Sequence, residues 1–285
     1  MKAVVGVDLS GLYESALSIV ARLEIPQTEI ELVHVDEPSA LHPAEEFKIS
    51  KEGFEVQRTT DSLALDTADA IAKDLKLSVS GKTVVVGGPA KHLIEEAANS
   101  KSDLIAIGSH RKSKYGSFFF GSVGRALTIG SPQSILIAKG MVAKTGKLTA
   151  VFATDHSTFA EMAIGMLADL KPLGLQKLVV VTALDREMKG STPKEELSAL
   201  RKTIKAKGKE SVDKLSAAGI PCEYHVVEGE FESVVSRSMK RNNADLLIMG
   251  AQGHGFIERM LIGSSSLQQV VTTSHSVLIL RPKQV

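Results

Sequence analysis

The stretch that begins at Asp103, DLIAIGSHRKSKYGSFFFGSV, is written again 142 residues later, from Asp245, as DLLIMGAQGHGFIERMLIGSS. The same offset carries Gly108 to Gly250, Gly121 to Gly263, Ser122 to Ser264 and Ser134 to Ser276, and lays SILIAK over SVLILR. Further upstream AVVGVDLS matches AVFATDHS, with Asp8 on Asp155 and Ser10 on Ser157 at an offset of 147, so the middle of the second copy is about five residues shorter. A period of this length is too long for a solenoid unit and marks a duplicated domain. The expected domains are residues 1–142 and 146–285, with the seam in the short polar stretch GMVAKTGK, Gly140 to Lys147. A chain of 285 residues with 43% hydrophobic content can bury a core in both copies.

Each copy alternates strand and helix patterns. In the first, strands are predicted at Ala3–Val7, Ile30–Val35, Thr83–Val86, Leu104–Ile107 and Ile135–Ala138. Helical spacing covers Leu12–Leu23, Thr59–Leu75, Leu93–Ala98 and Val123–Leu127, with a turn at Gly87-Gly88-Pro89. The second copy repeats the order, with strands at Ala150–Ala153, Leu178–Ala183, Cys222–Val227, Leu246–Met249 and Val277–Leu280. Its helices fall at Phe159–Leu170, Glu195–Ala217, Val234–Asn242 and Leu267–Thr273. Continuous apolar strands joined by helices predict an α/β fold, a parallel sheet covered on both faces. Ligands of such sheets sit beyond the strand carboxyl ends, where strand order reverses. Asp8, Asp155, Gly108 and Gly250 all fall at such ends.

The second copy reads Gly250-x2-Gly253-x9-Gly263-Ser264 between a strand and a helix start. The free N–H groups at a helix start, its dipole and the Ser264 and Ser265 hydroxyls favour an anion. Gly250, Gly253 and Gly263 let that anion approach the backbone without a Cβ in the way. The Walker pattern is absent, and the first strand ends in Asp8 or Asp155 rather than in a dinucleotide fingerprint. A carboxylate there suits a ribose hydroxyl or an amino-bearing base. Together the two ends describe a mononucleotide site, with sugar or base near Asp155 and phosphates near Gly253, Gly263 and Ser264. Turns and helix caps use the same residues singly; it is their combination that points to a ligand.

This glycine spacing, the strand-end Asp in AVFATDHS and the closing strand SVLIL resemble the universal stress protein family, nearly over the whole chain and twice. The resemblance implies two Rossmann-like domains of the adenine nucleotide alpha hydrolase type, each with a five-stranded parallel sheet, and ATP in the cleft, with or without Mg2+. By position it implies Asp155 on the ribose, the backbone of Ala183 facing adenine, and Gly250 near the sugar. Gly253, Gly263, Ser264 and Ser265 would hold the phosphates. It also implies pairing of the closing strands Ile135–Ala138 and Val277–Leu280, and is compatible with a homodimer.

The first copy departs from this pattern, because Arg111 stands where the second has Gly253. Either this copy has lost nucleotide and serves structure or pairing, or Arg111, Lys112 and Lys114 hold an anion by charge. Phe118, Phe119 and Phe120 read as core and interface packing. The eight histidines show no ligand spacing, so no metal site is expected, and Cys222 reads as an inert buried thiol. Net charge +1 argues against a nucleic-acid partner. No apolar run reaches membrane length, and a single cysteine fits a reducing cytoplasm. The functional expectation is a stress-response protein that uses ATP as a regulatory ligand. The alternatives are a slow ATPase or a nucleotidyl or phosphoryl transfer enzyme, for which His254, Glu258 and Arg259 are the only nearby groups, and a nucleotide-free interaction scaffold.

Overall fold

The structure is a computed structural model, and it describes residues 1–37, 51–110, 121–184, 194–251 and 273–282. The first copy runs β1 (Lys2–Val7), α1 (Tyr13–Leu23), β2 (Glu29–Asp36), α2 (Lys51–Asp74), β3 (Ser78–Val86), α3 (Pro89–Asn99), β4 (Leu104–Ser109), α4 (Ser122–Gly130) and β5 (Ser134–Lys139). The second runs β6 (Leu148–Ala153), α5 (Thr158–Leu170), β7 (Leu175–Leu184), α6 (Lys194–Ala217), β8 (Cys222–Glu228), α7 (Phe231–Arg241), β9 (Leu246–Gly250) and β10 (Ser276–Leu280). The expected helix Leu267–Thr273 lies almost wholly outside the described residues.

All ten strands form one sheet, in the order β3-β2-β1-β4-β5-β10-β9-β6-β7-β8. Within each copy every pairing is parallel. At the middle β5 and β10 run antiparallel, with Ile135 opposite Ile279, Leu136 opposite Leu278 and Ile137 opposite Val277. The central strands β4, β5, β6, β9 and β10 are apolar along nearly their whole length because both faces are covered. One face carries α1, α2, α5 and α6 over a core that includes Leu17, Leu32, Phe152 and Ile164. The other carries α3, α4 and α7 over Val33, Leu93, Ile107 and Val235.

The halves are tied by matched bonds. Lys139 N donates to Ser276 Oγ at 3.0 Å, and Arg281 N donates to Ser134 Oγ at 3.1 Å. The repeated Asp that opens each copied stretch has a structural task. The Lys2 amide donates to Asp103 Oδ2 and the Thr149 amide to Asp245 Oδ2, both at 3.0 Å, which fixes the start of each first strand beside its neighbour. The seam is held by Arg22, nearly buried at the end of α1. Its Nε donates to Gly146 O at 2.9 Å, its Nη2 to Lys147 O at 3.1 Å, and the same nitrogen lies 3.3 Å from Asp245 Oδ1. Gly174 sits so close to this point that a Cβ would fall 1.7 Å from Arg22 O.

Several boundaries differ from the sequence expectation: α2 begins at Lys51 rather than Thr59 and β7 at Leu175 rather than Leu178, and three further starts are displaced. Strand β3 begins at Ser78 rather than Thr83, because an edge strand takes its backbone partners from β2 and tolerates polar residues outside. Helix α3 begins at Pro89, inside the predicted turn, since Pro at the first helical position loses no intrahelical bond. Helix α7 begins at Phe231, three residues early.

Candidate functional site

Strand order reverses between β1 and β4 in the first copy and between β6 and β9 in the second. These are the two places where a parallel α/β sheet opens a crevice at its carboxyl edge.

In the first copy the crevice is an open cleft of about 450 Å³. Val33, Val35, Leu93 and Ile107 supply an apolar body, while Asp8, Asp36 and Glu37 bring three carboxylates; no Lys or Arg stands among its described lining residues. Asp8 accepts a very short bond from Ser10 Oγ on Oδ2, whereas its Oδ1 is buried without a partner among the described residues. Such an orphaned acceptor costs about 1–3 kcal/mol, and more when charged. His34 also lines the cleft and is fully engaged. Its Nδ1 lies 2.7 Å from the Val7 carbonyl, which can only accept, so Nδ1 carries a proton; Nε2 lies 3.2 Å from the buried Asp61. Gly108 has a negative φ, and its need for glycine is close approach: a Cβ would fall 2.1 Å from Leu12 O at the entry to α1. Gly121 caps α4 with no side-chain bond, and a Cβ there would meet nothing within 4 Å. Packing gives Gly121 no reason to be glycine. Ser122 begins the helix rather than capping it.

In the second copy Asp155, Ala183 and Gly250 stand at the carboxyl ends of the neighbouring strands β6, β7 and β9. Asp155 is exposed, and its Oδ1 accepts from the Ser157 amide at 2.9 Å. Ser157 then caps α5, accepting from Ala160 N at 3.3 Å. Ala183 is half-buried on β7 opposite Val227. Gly250 ends β9 and passes α5 closely, so that a Cβ would lie 3.1 Å from Ala163 Cβ and 3.2 Å from Phe159 O. Gly253, Gly263, Ser264 and Ser265 lie outside the described residues, as do Arg111, Lys112, Lys114, Phe118, Phe119, Phe120, His254, Glu258 and Arg259.

The sequence reading missed a buried network beneath Asp155. His156 is 6% exposed and takes φ +57°, a left-handed conformation that costs a side-chain-bearing residue about 1–2 kcal/mol. Its Nδ1 lies 2.9 Å from Glu161 Oε1, and its Nε2 lies 3.0 Å from Thr182 Oγ1 and 2.9 Å from Tyr224 Oη. Tyr224 Oη in turn donates to Thr182 Oγ1 at 3.0 Å or to Ile204 O at 3.2 Å. The Tyr224 ring lies over Gly208 in the middle of α6, where a Cβ would fall 2.0 Å from the ring. The first copy has Leu9 in place of His156, and Leu9 is 56% exposed. Burial raises the Tyr224 phenol above its ordinary value, and it does the same to the Cys222 thiol, which sits half-buried at the start of β8.

The sequence model of the universal stress protein family matches residues 1–139 and again 149–281. The chain belongs to the universal stress protein family. A universal stress protein of Synechocystis sp. is 39% identical over 67 residues, which is 24% of this chain and 23% of that relative's length. Among solved structures, a universal stress protein from Archaeoglobus fulgidus superposes with a TM-score of 0.71 at 19% identity, covering 99% of this chain and 98% of that one. A protein of unknown function from Pseudomonas aeruginosa gives 0.66 at 18% identity, over 99% and 92% of the two chains. These likenesses establish the α/β fold in tandem. Among the described residues, no helix of this universal stress protein is long and apolar enough to cross a membrane.

Proposed function

We propose that this tandem universal stress protein acts in the cytoplasm and binds ATP, with or without Mg2+, in its second half as a regulatory ligand. In this reading residues 1–142 and 146–285 are its two functional units, paired within the chain. Asp155 contacts the ribose, the Ala183 backbone faces adenine, Gly250 lies near the sugar, and Gly253, Gly263, Ser264 and Ser265 hold the phosphates. The observation that carries the reading is the coincidence of the Gly250-x2-Gly253-x9-Gly263-Ser264 spacing with a strand-order reversal, where Asp155 follows β6 and Gly250 ends the adjacent β9. The chemistry of these groups fits a nucleotide: a carboxylate for hydroxyls at one end, bare amides and hydroxyls for phosphate at the other. Phosphoryl transfer would further need a placed base or a cation at the terminal phosphate. The groups that the sequence offers for this, His254, Glu258 and Arg259, lie outside the described residues, and Lys207 Nζ, the cation beside Asp155, is bound to the His156 carbonyl at 3.2 Å; the ligand role is the reading taken here.

Calorimetry with ATP tests the reading. Gly253→Arg should abolish binding, and Asp155→Ala should weaken it about tenfold, the loss of one hydrogen bond to a charged acceptor. Unchanged affinity in Gly253→Arg would overturn the assignment.

A further inference from the structure

We infer that His156 is a positioning residue for the second-half site: its buried ring ties the turn that carries Asp155 to Thr182, the residue before Ala183, and so sets the gap between the ribose-facing carboxylate and the adenine-facing backbone. The inference rests on the nucleotide reading above and adds to it the group that holds these two contacts in register.

The ladder between β6 and β7 ends at the pair Ala153–Val181, and Thr154 N then donates to Val181 O at 2.9 Å. Asp155 lies past that point, so its place relative to Ala183 depends on the turn. The turn is fixed from several sides. The His156 amide donates to Thr154 Oγ1 at 3.0 Å, the Ser157 amide to Asp155 Oδ1 at 2.9 Å, and Lys207 Nζ, from α6, to the His156 carbonyl at 3.2 Å. The ring makes the reach to β7. The Glu161 carboxylate accepts at 2.9 Å, so Nδ1 carries the proton, and Nε2 is left to accept from Thr182 Oγ1 at 3.0 Å or Tyr224 Oη at 2.9 Å.

Two local penalties meet at this place. His156 holds φ +57°, which a residue with a side chain rarely adopts, and Tyr224 approaches the ring across Gly208, where any Cβ would collide with it. Strain of this kind gathers where a geometry is held for use. The first copy makes the matching tie from the opposite strand. His34, which stands on β2 in the place of Thr182, has its Nδ1 2.7 Å from the carbonyl of Val7, which stands in the place of Thr154. An imidazole spans the ends of the first two strands in both copies, but only in the second does it belong to the turn that carries the aspartate.

Titration calorimetry of the full chain with ATP and with 2′,3′-dideoxy-ATP, which lacks the hydroxyls that Asp155 would meet, tests the inference. The wild type should prefer ATP by about tenfold, and Asp155→Ala should bring that ratio to about one. Thr182→Val leaves Asp155 and His156 in place and takes away the hydroxyl, so that the ring keeps only Tyr224, one strand further out; the ratio should fall below about threefold. His156→Asn, which tolerates the left-handed φ but is too short to reach Thr182, should do the same. Thr182→Ser keeps the hydroxyl and should retain the preference. A network that served the fold alone would lower the melting temperature of these variants and leave the ratio untouched. The inference is overturned if either Thr182→Val or His156→Asn, folded by its thermal transition, keeps the wild-type ratio, or if Thr182→Ser loses it. A wild type that binds neither nucleotide, or both equally, removes the Asp155 assignment and the inference with it. A ratio lost in Asp155→Ala but kept in Thr182→Val strikes the inference alone.

Discussion

Lys139 and Arg281 occupy the same place in the two copies, and each holds the other copy's chain. Lys139 Nζ donates to Thr273 O at 2.7 Å, and Arg281 Nη1 donates to Ser131 O, the residue that matches Thr273 in the repeat. Arg281 Nη2 also reaches Thr128 O in the last turn of α4. A cation from the second half therefore satisfies the carbonyls and the dipole at the end of a first-half helix. Both side chains are nearly buried, 4% and 8% exposed.

Arg281→Met should cost about 2–4 kcal/mol in urea unfolding, because it leaves two buried carbonyls without donors and uncaps α4. Lys139→Met should also destabilise, because it strands the Thr273 carbonyl. Equal, near-zero effects would show that the clasp is decorative.

Burial pulls the Lys139 ammonium down to about 8 from 10.5. Between those values the unfolded chain holds a proton that the folded chain has released, so unfolding takes up a proton. Raising the pH from about 8 to about 10.5 should then stabilise the wild type relative to Lys139→Met, by about 1–3 kcal/mol. Denaturant titrations of both proteins at pH 7.5, 9 and 10.5 measure the difference, and a flat or falling difference would refute it.

The two strand-end glycines should differ under substitution. Gly108→Ala drives a Cβ to 2.1 Å from a backbone oxygen and should destabilise by more than about 2 kcal/mol. Gly250→Ala meets its neighbours at 3.1–3.2 Å and should cost about 1 kcal/mol or less. If Gly250→Ala folds well yet loses ATP, the glycine lies against the sugar as proposed. If it keeps ATP, its role is packing on α5.

Arg22→Met removes both bonds to the seam and the ion pair with Asp245, which keeps its bond from the Thr149 amide. Limited proteolysis should cut within residues 141–147 several-fold faster than in the wild type, with global stability lower by about 2–3 kcal/mol. Unaltered cleavage would mean that the remaining ties, the Lys144–Glu14 and Lys147–Glu24 pairs and the bonds of Ser15 Oγ to Gly140 O and Lys147 Nζ to Leu173 O, suffice to hold the seam.

His156→Ala should remove one buried partner from the Thr182–Tyr224 pair, which keep their bond to each other, and leave a cavity with an unfavourable φ at 156, at a cost of about 2–3 kcal/mol. His156→Gly, which relieves the backbone, should recover about 1 kcal/mol of that. A thermal scan of both variants compares them directly, and indistinguishable midpoints would discount the strain.

The tandem α/β organisation was legible because duplicated strands such as Leu104–Ile107 and Leu246–Met249 are buried on both faces and so read as unbroken apolar runs. The polar front of β3 was not, since Ser78 to Lys82 is held by main-chain pairing to β2 and by Lys82 reaching Asp66 at 2.7 Å, neither of which leaves a hydrophobic period. At the sites, the place of Asp8 and Asp155 followed from the strand ends. The His156 network did not, because its partners Thr182 and Tyr224 come from β7 and β8, far along the chain. Nor did the open first-half cleft, whose walls Val33, Leu93 and Ile107 come from elements far apart along the chain.

The antiparallel β5–β10 junction lies within a single polypeptide, and this changes how such a pair can evolve and behave. Two separate chains meeting at the same surface would come apart on dilution, and any substitution in one would appear in both. Here the tether supplies a local concentration that does not depend on protein level. Every molecule carries one of each half in fixed proportion, and because neither half ever needs to pair with its own duplicate, the two crevices are free to drift toward different chemistries behind a shared, unaltered spine.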